Sequence, residues 1–128
     1  MRAFVIVAAL VLSTAAAQAQ FANKIAASGK QIKLGFFATV NPDCSSTGDP
    51  TVRVTQAPEH GRVSIPAGRD FPIFSEPNPR TVCNTRRVQG RIASYVSERG
   101  FVGMDHVTLE VYYPSGRASR YTYNISVR

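Results

Sequence analysis

The chain is short of several residue types and patterns, and each shortage removes a class of chemistry. It holds two cysteines and two histidines in 128 residues. Cys44, Cys83, His60 and His106 are too scattered for the ligand spacing of a zinc site. The cysteines are far apart in sequence, unlike the close Cys-x-x-Cys pair of catalytic dithiols. Acidic residues number eight. Asp43 with Asp49 is too thin for a calcium loop, which draws on several oxygen ligands. The serines include no Gly-x-Ser-x-Gly nucleophile elbow. There is no helical i, i+3, i+4 stripe of useful length, no internal repeat and no low-complexity tract. These absences lead us to expect a protein that is not an enzyme and uses no metal or cofactor.

Long apolar runs are also missing, with one exception at the start. Met1-Arg2 brings one positive charge, Ala3 to Leu12 is apolar without interruption, and small residues lead to Ala17-Gln18-Ala19. Charged, apolar and small-residue regions in that order make a secretory signal, residues 1–19. The apolar part is too short for a spanning helix, which needs roughly 20 residues. Cleavage after Ala19 would leave residues 20–128 as a single domain with no transmembrane segment, secreted or held in the periplasm. In an exported protein of this size an even pair of cysteines most simply forms a disulfide. Bridging Cys44 and Cys83 closes a loop of about 40 residues, and the chain-entropy relation gives roughly 4 kcal/mol.

The rest of the chain reads as strands. "IKLGFFATV" (32–40) is apolar and aromatic and ends before Asn41-Pro42. "TVRVT" sets Val52 and Val54 on one face, and "RVSI" does the same with Val63 and Ile65. "RRVQGRIASYV" carries Val88 and Ile92. "HVTLEVYY" alternates with Val107, Leu109, Val111 and Tyr113 inward. "SRYTYNISV" alternates with Tyr121, Tyr123, Ile125 and Val127 inward. Period-two alternation buries one face and wets the other. Turn chemistry separates the runs. Pro58 and Gly61 fit the "APEHG" turn, with Gly61 at positive φ. Pro114 and Gly116 fit a three-residue hairpin loop in "YPSGR". The stretch after the signal, "FANKIAASGKQ", has no clean period and reads as a lead-in with a short first strand at most. Short strands punctuated by turns predict an all-β, antiparallel, immunoglobulin-like β-sandwich with one disulfide.

One region breaks this rhythm. Residues 66–87, "PAGRDFPIFSEPNPRTVCNTRR", hold four prolines and four arginines. Prolines argue against a central strand, so we expect a long loop excursion pinned through Cys83 to "NPDCSSTGDP". Long loops in compact domains are often functional. The net charge is +7, one unit less without Arg2. A basic surface suits anionic partners, and it also serves to keep a domain soluble. Arginine binds carboxylate or phosphate in a two-pronged fork. Arg80, Arg86, Arg87 and Arg91, with Phe71 and Phe74, are therefore the candidate partner-binding residues.

"QAPEHGRVSI", "ASYVSERGFVGMDHVTLEV" and the final "YNISV" share an order and spacing. Ala57, Pro58, His60, Gly61 and Val63 are followed by Tyr95, Gly100, Phe101, Gly103, Asp105 and Val107. That order resembles the bacterial cadherin-like, immunoglobulin-like repeats of surface proteins and adhesins, over roughly 51–127 without the excursion. The resemblance implies a β-sandwich and no catalysis. Ser97 replaces the family's frequent proline, the cysteine pair is an addition, and only one copy is present. Asp105 and His106 are neighbours on a strand and fall on opposite faces. They do not converge as a catalytic pair. Gly100 and Gly103 let the chain turn, Phe101 plugs the end of the sandwich, and Asp105 accepts backbone N–H bonds that tie the corner down.

The function that follows is a non-catalytic exported binding or structural module of the bacterial cell envelope. It would dock an envelope or extracellular partner, anionic or protein and not a specific nucleic acid, on the tethered loop or along an open sheet edge. The alternative is an enzyme or a protease-inhibitor-like protein with its site on the same loops.

Overall fold

The structure, a computed structural model, describes residues 9–11 and 18–128. Most of the expected export signal lies outside the described residues. Among those described, the chain forms eight strands: β1 (Gln18–Ala26), β2 (Gln31–Phe37), β3 (Thr51–Gln56), β4 (Gly61–Ser64), β5 (Ala67–Asp70), β6 (Val88–Ser97), β7 (Gly103–Tyr112) and β8 (Ala118–Val127). A 3-10 helix spans Pro79–Thr85.

The strands make two sheets. One has the order β1-β8-β7-β3; the other has β2-β6-β4, with β5 also on β6. The second sheet is antiparallel throughout. The first is mixed, because β1 runs parallel to β8. That corrects the expectation of a wholly antiparallel fold. The reason is legible in "QAQFANKIA": the large apolar residues Phe21 and Ile25 are 74% and 63% exposed, while the small Ala22 and Ala26 face the core. A strand that buries its alanines gives no apolar alternation to find, so the lead-in is a full strand.

The alternating runs carry the core. Leu34 and Phe37 of β2, Ala93 and Tyr95 of β6, Val107, Leu109 and Val111 of β7, and Tyr123, Ile125 and Val127 of β8 form one cluster. Strand β6 pairs on both sides, and three consecutive residues, Ala93, Ser94 and Tyr95, are buried. Val54, expected inward, is 40% exposed, because β3 is an edge strand with a register shift between Val54 and Gln56.

The "YPSGR" hairpin forms with the expected geometry. Tyr113 N–H donates to Arg117 O at 2.9 Å, and Gly116 N–H donates to Tyr113 O at 2.9 Å. Gly116 takes φ 88°, where a side chain would be strained. Gly61 differs from expectation. It is not among the glycines at positive φ. It is needed for close approach instead: a Cβ there would lie 2.5 Å from Tyr95 Cε2 and 2.6 Å from the Val96 carbonyl oxygen.

The excursion is more ordered than a loop. Pro66 precedes β5 and Pro72 follows it, so the strand fits between two residues that lack an N–H. β5 pairs only with β6, at the sheet margin. Pro79 opens the 3-10 helix in the first turn, where a missing donor costs nothing. The Asn78 side chain caps that helix, accepting from Arg80 N–H at 2.9 Å.

Candidate functional site

Asp105 sits in β7 facing inward, only 2% exposed. Its carboxylate accepts the Tyr95 hydroxyl at 2.7 Å and the backbone amides of Glu59 at 2.9 Å, His60 at 3.1 Å and His106 at 3.0 Å. One side chain thus joins β6, β7 and the "PEHG" turn. Burial pushes its pKa up, but the Tyr95 hydroxyl and the three amides outweigh burial and hold the carboxyl below its ordinary value. Gly100 at φ 87° and Gly103 at φ 143° flank Phe101, and the His60 ring stacks on Phe101 with centroids 4.0 Å apart. His106 points to the other face, where Nδ1 meets Asn124 Oδ1 at 2.8 Å. Every polar atom of Asp105 is spent on holding chain segments together.

The opposite end of the molecule is built differently. Cys44 and Cys83 are bonded, with Cα atoms 5.5 Å apart. Cys83 is fully buried and packs with Val40 and Val88 in a cluster separate from the main core. Cys44 lies at φ 70°, in the left-handed region rarely occupied without glycine. Around this bond the excursion is held at several points. Asn84 Oδ1 accepts Phe74 N–H at 2.8 Å and its Nδ2 donates to Phe74 O at 2.9 Å. Arg80 Nε donates to Val40 O at 2.7 Å. Asp70 accepts Phe71 N–H at 2.8 Å and pairs with Lys33 at 2.7 Å.

The excursion so held forms one wall of a groove; the β2–β3 loop and the β7–β8 hairpin form the others. The groove has two lobes. One lobe, of about 510 Å³, is lined by Thr39, Thr47, Asn78, Arg80 and Ser115 together with the apolar Val40 and Pro114. An aromatic lobe of about 420 Å³ is lined by Phe36, Phe37, Pro72, Ile73, Tyr121 and Tyr123. Ala38, Phe74, Tyr113 and Arg117 belong to both and mark the junction. No Asp or Glu lines either lobe. The Arg117 guanidinium lies 4.9 Å from the centroid of the Tyr113 ring. Burial and the Tyr121 hydroxyl raise the Tyr113 pKa, and burial raises that of Tyr123. Both phenols therefore stay protonated and can donate.

The candidate residues from the sequence are divided by the fold. Phe74 and Arg80 meet in the groove. Phe71 lies outside it beneath Arg87, whose guanidinium is 5.4 Å from the ring centroid. Arg91 stands on β6 and faces Asp49 at 3.9 Å. Arg86 is exposed and follows the 3-10 helix. Arg117, Tyr113 and Tyr121 also line the groove, though the sequence marks them only as hairpin and strand residues. Arg117 ends "YPSGR", a stretch whose turn chemistry hid its charge. Among the described residues, neither Arg80 nor Arg117 has a carboxylate within ion-pair distance, whereas Arg120 pairs with Glu110 at 2.8 Å. No three His, Cys, Asp or Glu side chains gather as a metal site, and no helix is long and apolar enough to cross a membrane, among the described residues.

No family model, curated protein or solved structure matches this chain.

Proposed function

We propose that this is an exported, non-catalytic binding module of the cell envelope, an immunoglobulin-like β-sandwich whose partner is anionic and docks in the groove beside the disulfide-tethered loops. The cadherin-like resemblance and the signal-like N-terminus support the fold and the compartment. The observation that carries the binding reading is the pair of guanidiniums, Arg80 and Arg117, lining one acid-free groove without acidic partners. A guanidinium in a partly enclosed site binds a carboxylate or phosphate more strongly than one in open water. The test is binding to polyglutamate and polygalacturonate at rising salt. Affinity is expected to fall at least about tenfold between roughly 0.05 and 0.5 M NaCl, and Arg117→Ala is expected to weaken it at unchanged melting temperature. Binding indifferent to salt and to Arg117 would overturn the reading.

A second reading rests on Ile73. It is 92% exposed, yet its neighbours are fixed: Pro72 is buried and Phe74 is clamped by Asn84. A rigid loop presenting one aliphatic side chain loses little entropy on docking into an apolar pocket. A protease-inhibitor-like protein would be built this way. A panel of serine endopeptidases that accept aliphatic residues tests it. Inhibition abolished by Ile73→Asp would support it, and an unaffected panel would remove it.

A further inference from the structure

The groove's two lobes are lined by different side chains, and the difference narrows the ligand. We propose that the groove binds a small amphiphilic carboxylate, with its head between Arg80 and Arg117 and its apolar body in the aromatic lobe. The proposal rests on the anion-binding reading above and adds the nature of the rest of the ligand.

Three observations carry it. First, Arg80 lines the 510 Å³ lobe and Arg117 lines both lobes at their junction. Arg80 has its Nε fixed on Val40 O at 2.7 Å, which sets the position of its remaining fork. Arg117 is held over the Tyr113 ring at 4.9 Å. Both guanidiniums line the same lobe, and a guanidinium fork matches the two oxygens of a carboxylate, which accept in parallel. Second, apart from Arg117 the aromatic lobe carries no charged side chain, and three of its rings already have partners. Phe37 and Tyr121 pack on each other at 4.9 Å and 53°, and Arg117 covers Tyr113. A sugar ring needs an open aromatic face to stack on. Ring edges and the Ile73 and Pro72 side chains suit an acyl chain or a fused aromatic body instead. Third, lobes of about 510 and 420 Å³ fall in the range of roughly 300–1,000 Å³ usual for small-molecule sites.

The chain has no tryptophan, so naphthalene fluorescence can be read against it directly. The experiment compares 1-naphthoate with 1-naphthamide and with acetate on the intact, oxidised protein. Naphthoate is expected to bind at least about tenfold tighter than either, equivalent to about 1.4 kcal/mol for each missing half. Arg117→Gln and Arg80→Gln are each expected to bring naphthoate to the level of the amide. On the unmodified protein, saturating naphthoate should shift the ring signals of Tyr121 and Tyr123 in NMR spectra. Those shifts do not depend on any variant folding. Equal binding of amide and acid would reduce the site to an apolar patch and overturn the proposal. If polyglutamate binds in a salt-dependent way but naphthoate does no better than acetate, the amphiphile proposal fails and the broader anion reading stands. If neither binds, both fail. Binding to phosphatidylglycerol vesicles with no binding of free naphthoate would also overturn it, in favour of a membrane surface.

Discussion

Asp105 accepts all its side-chain hydrogen bonds from groups that hold the corner together. Its four hydrogen bonds come from donors only: one phenol and three amides. An asparagine there would present an N–H₂ to groups that also donate. Asp105→Asn is therefore expected to cost about 3 kcal/mol, through lost charge-assisted bonds and a mismatched buried donor. Calorimetry on both proteins checks this. The carboxyl is also held below its ordinary value in the fold, near 4 when unfolded. In the interval between the two values the unfolded chain binds the extra proton, so stability rises with pH there. The Asp105 contribution is complete above the unfolded value and is lost as pH falls through the folded one. The melting temperature of the natural protein should thus drop on acidification below about pH 4. The drop should be shallower in Asp105→Asn, with the remainder coming from Asp43, Asp70 and Glu110, which are also lowered. Equal acid slopes would contradict this role. Gly61 gives a second residue-level outcome. Gly61→Ala pushes a methyl into Tyr95 and the Val96 carbonyl, the same Tyr95 that bonds Asp105. It should cost roughly 1–3 kcal/mol, and Tyr95→Phe in the same chain should not restore the loss.

Among the elements, the legible ones were those whose apolar residues face the core. β7 and β8 alternate cleanly because Val107, Leu109, Val111, Tyr123, Ile125 and Val127 supply the buried face. The "YPSGR" turn was legible because proline and glycine have narrow backbone requirements. β1 was not, because its inward residues are alanines and its large apolar residues face solvent. β5 was not, because four residues between prolines carry too little pattern. The site was half legible. Arg80 and Phe74 were within reach because the excursion's composition is unusual. Arg117 and the tyrosines come from strands and a hairpin far away in sequence, and only the pairing of β7 with β8 delivers them. β1 also provides a test at this scale. Its core contribution comes from Ala22 and Ala26, whereas Gln18 and Ala19 are exposed. A chain beginning at Gln20 should melt within a degree or two of one beginning at Gln18. A chain beginning at Ala27 exposes the β8 edge and should lose at least ~2 kcal/mol, or about 10 °C for a domain of this size. Equal melting of all three would mean that β1 does not stabilise the fold.

In the whole molecule, the disulfide sits apart from the main core. The main core joins both sheets, while Val40, Cys83 and Val88 form a smaller cluster at one end. The disulfide belongs to the smaller cluster. It links the β2–β3 loop, which supplies Thr39, Val40 and Thr47 to the groove, to the excursion, which supplies Phe74, Asn78 and Arg80. The bond closes 39 residues of sequence, so opening it should cost about 2–4 kcal/mol by releasing the unfolded chain. That is less than the 5–15 kcal/mol typical of a domain, and the main core is not touched. Replacing both cysteines with serine should therefore leave a folded protein at 25 °C with a lower melting temperature. Binding should suffer more than folding does. The two loops would be free to separate, the Arg80–Val40 bond would lose its fixed acceptor, and the forks would have to be ordered again for each ligand at an entropic cost. Affinity for the anionic probes is expected to fall at least about tenfold, more than the twofold or so that a merely less stable but fully folded protein would show. Thiol counting on the oxidised protein should find none free. An undiminished affinity in the serine variant, with the expected fall in melting temperature, would mean that the disulfide serves the fold and that the groove is positioned by the sheets alone.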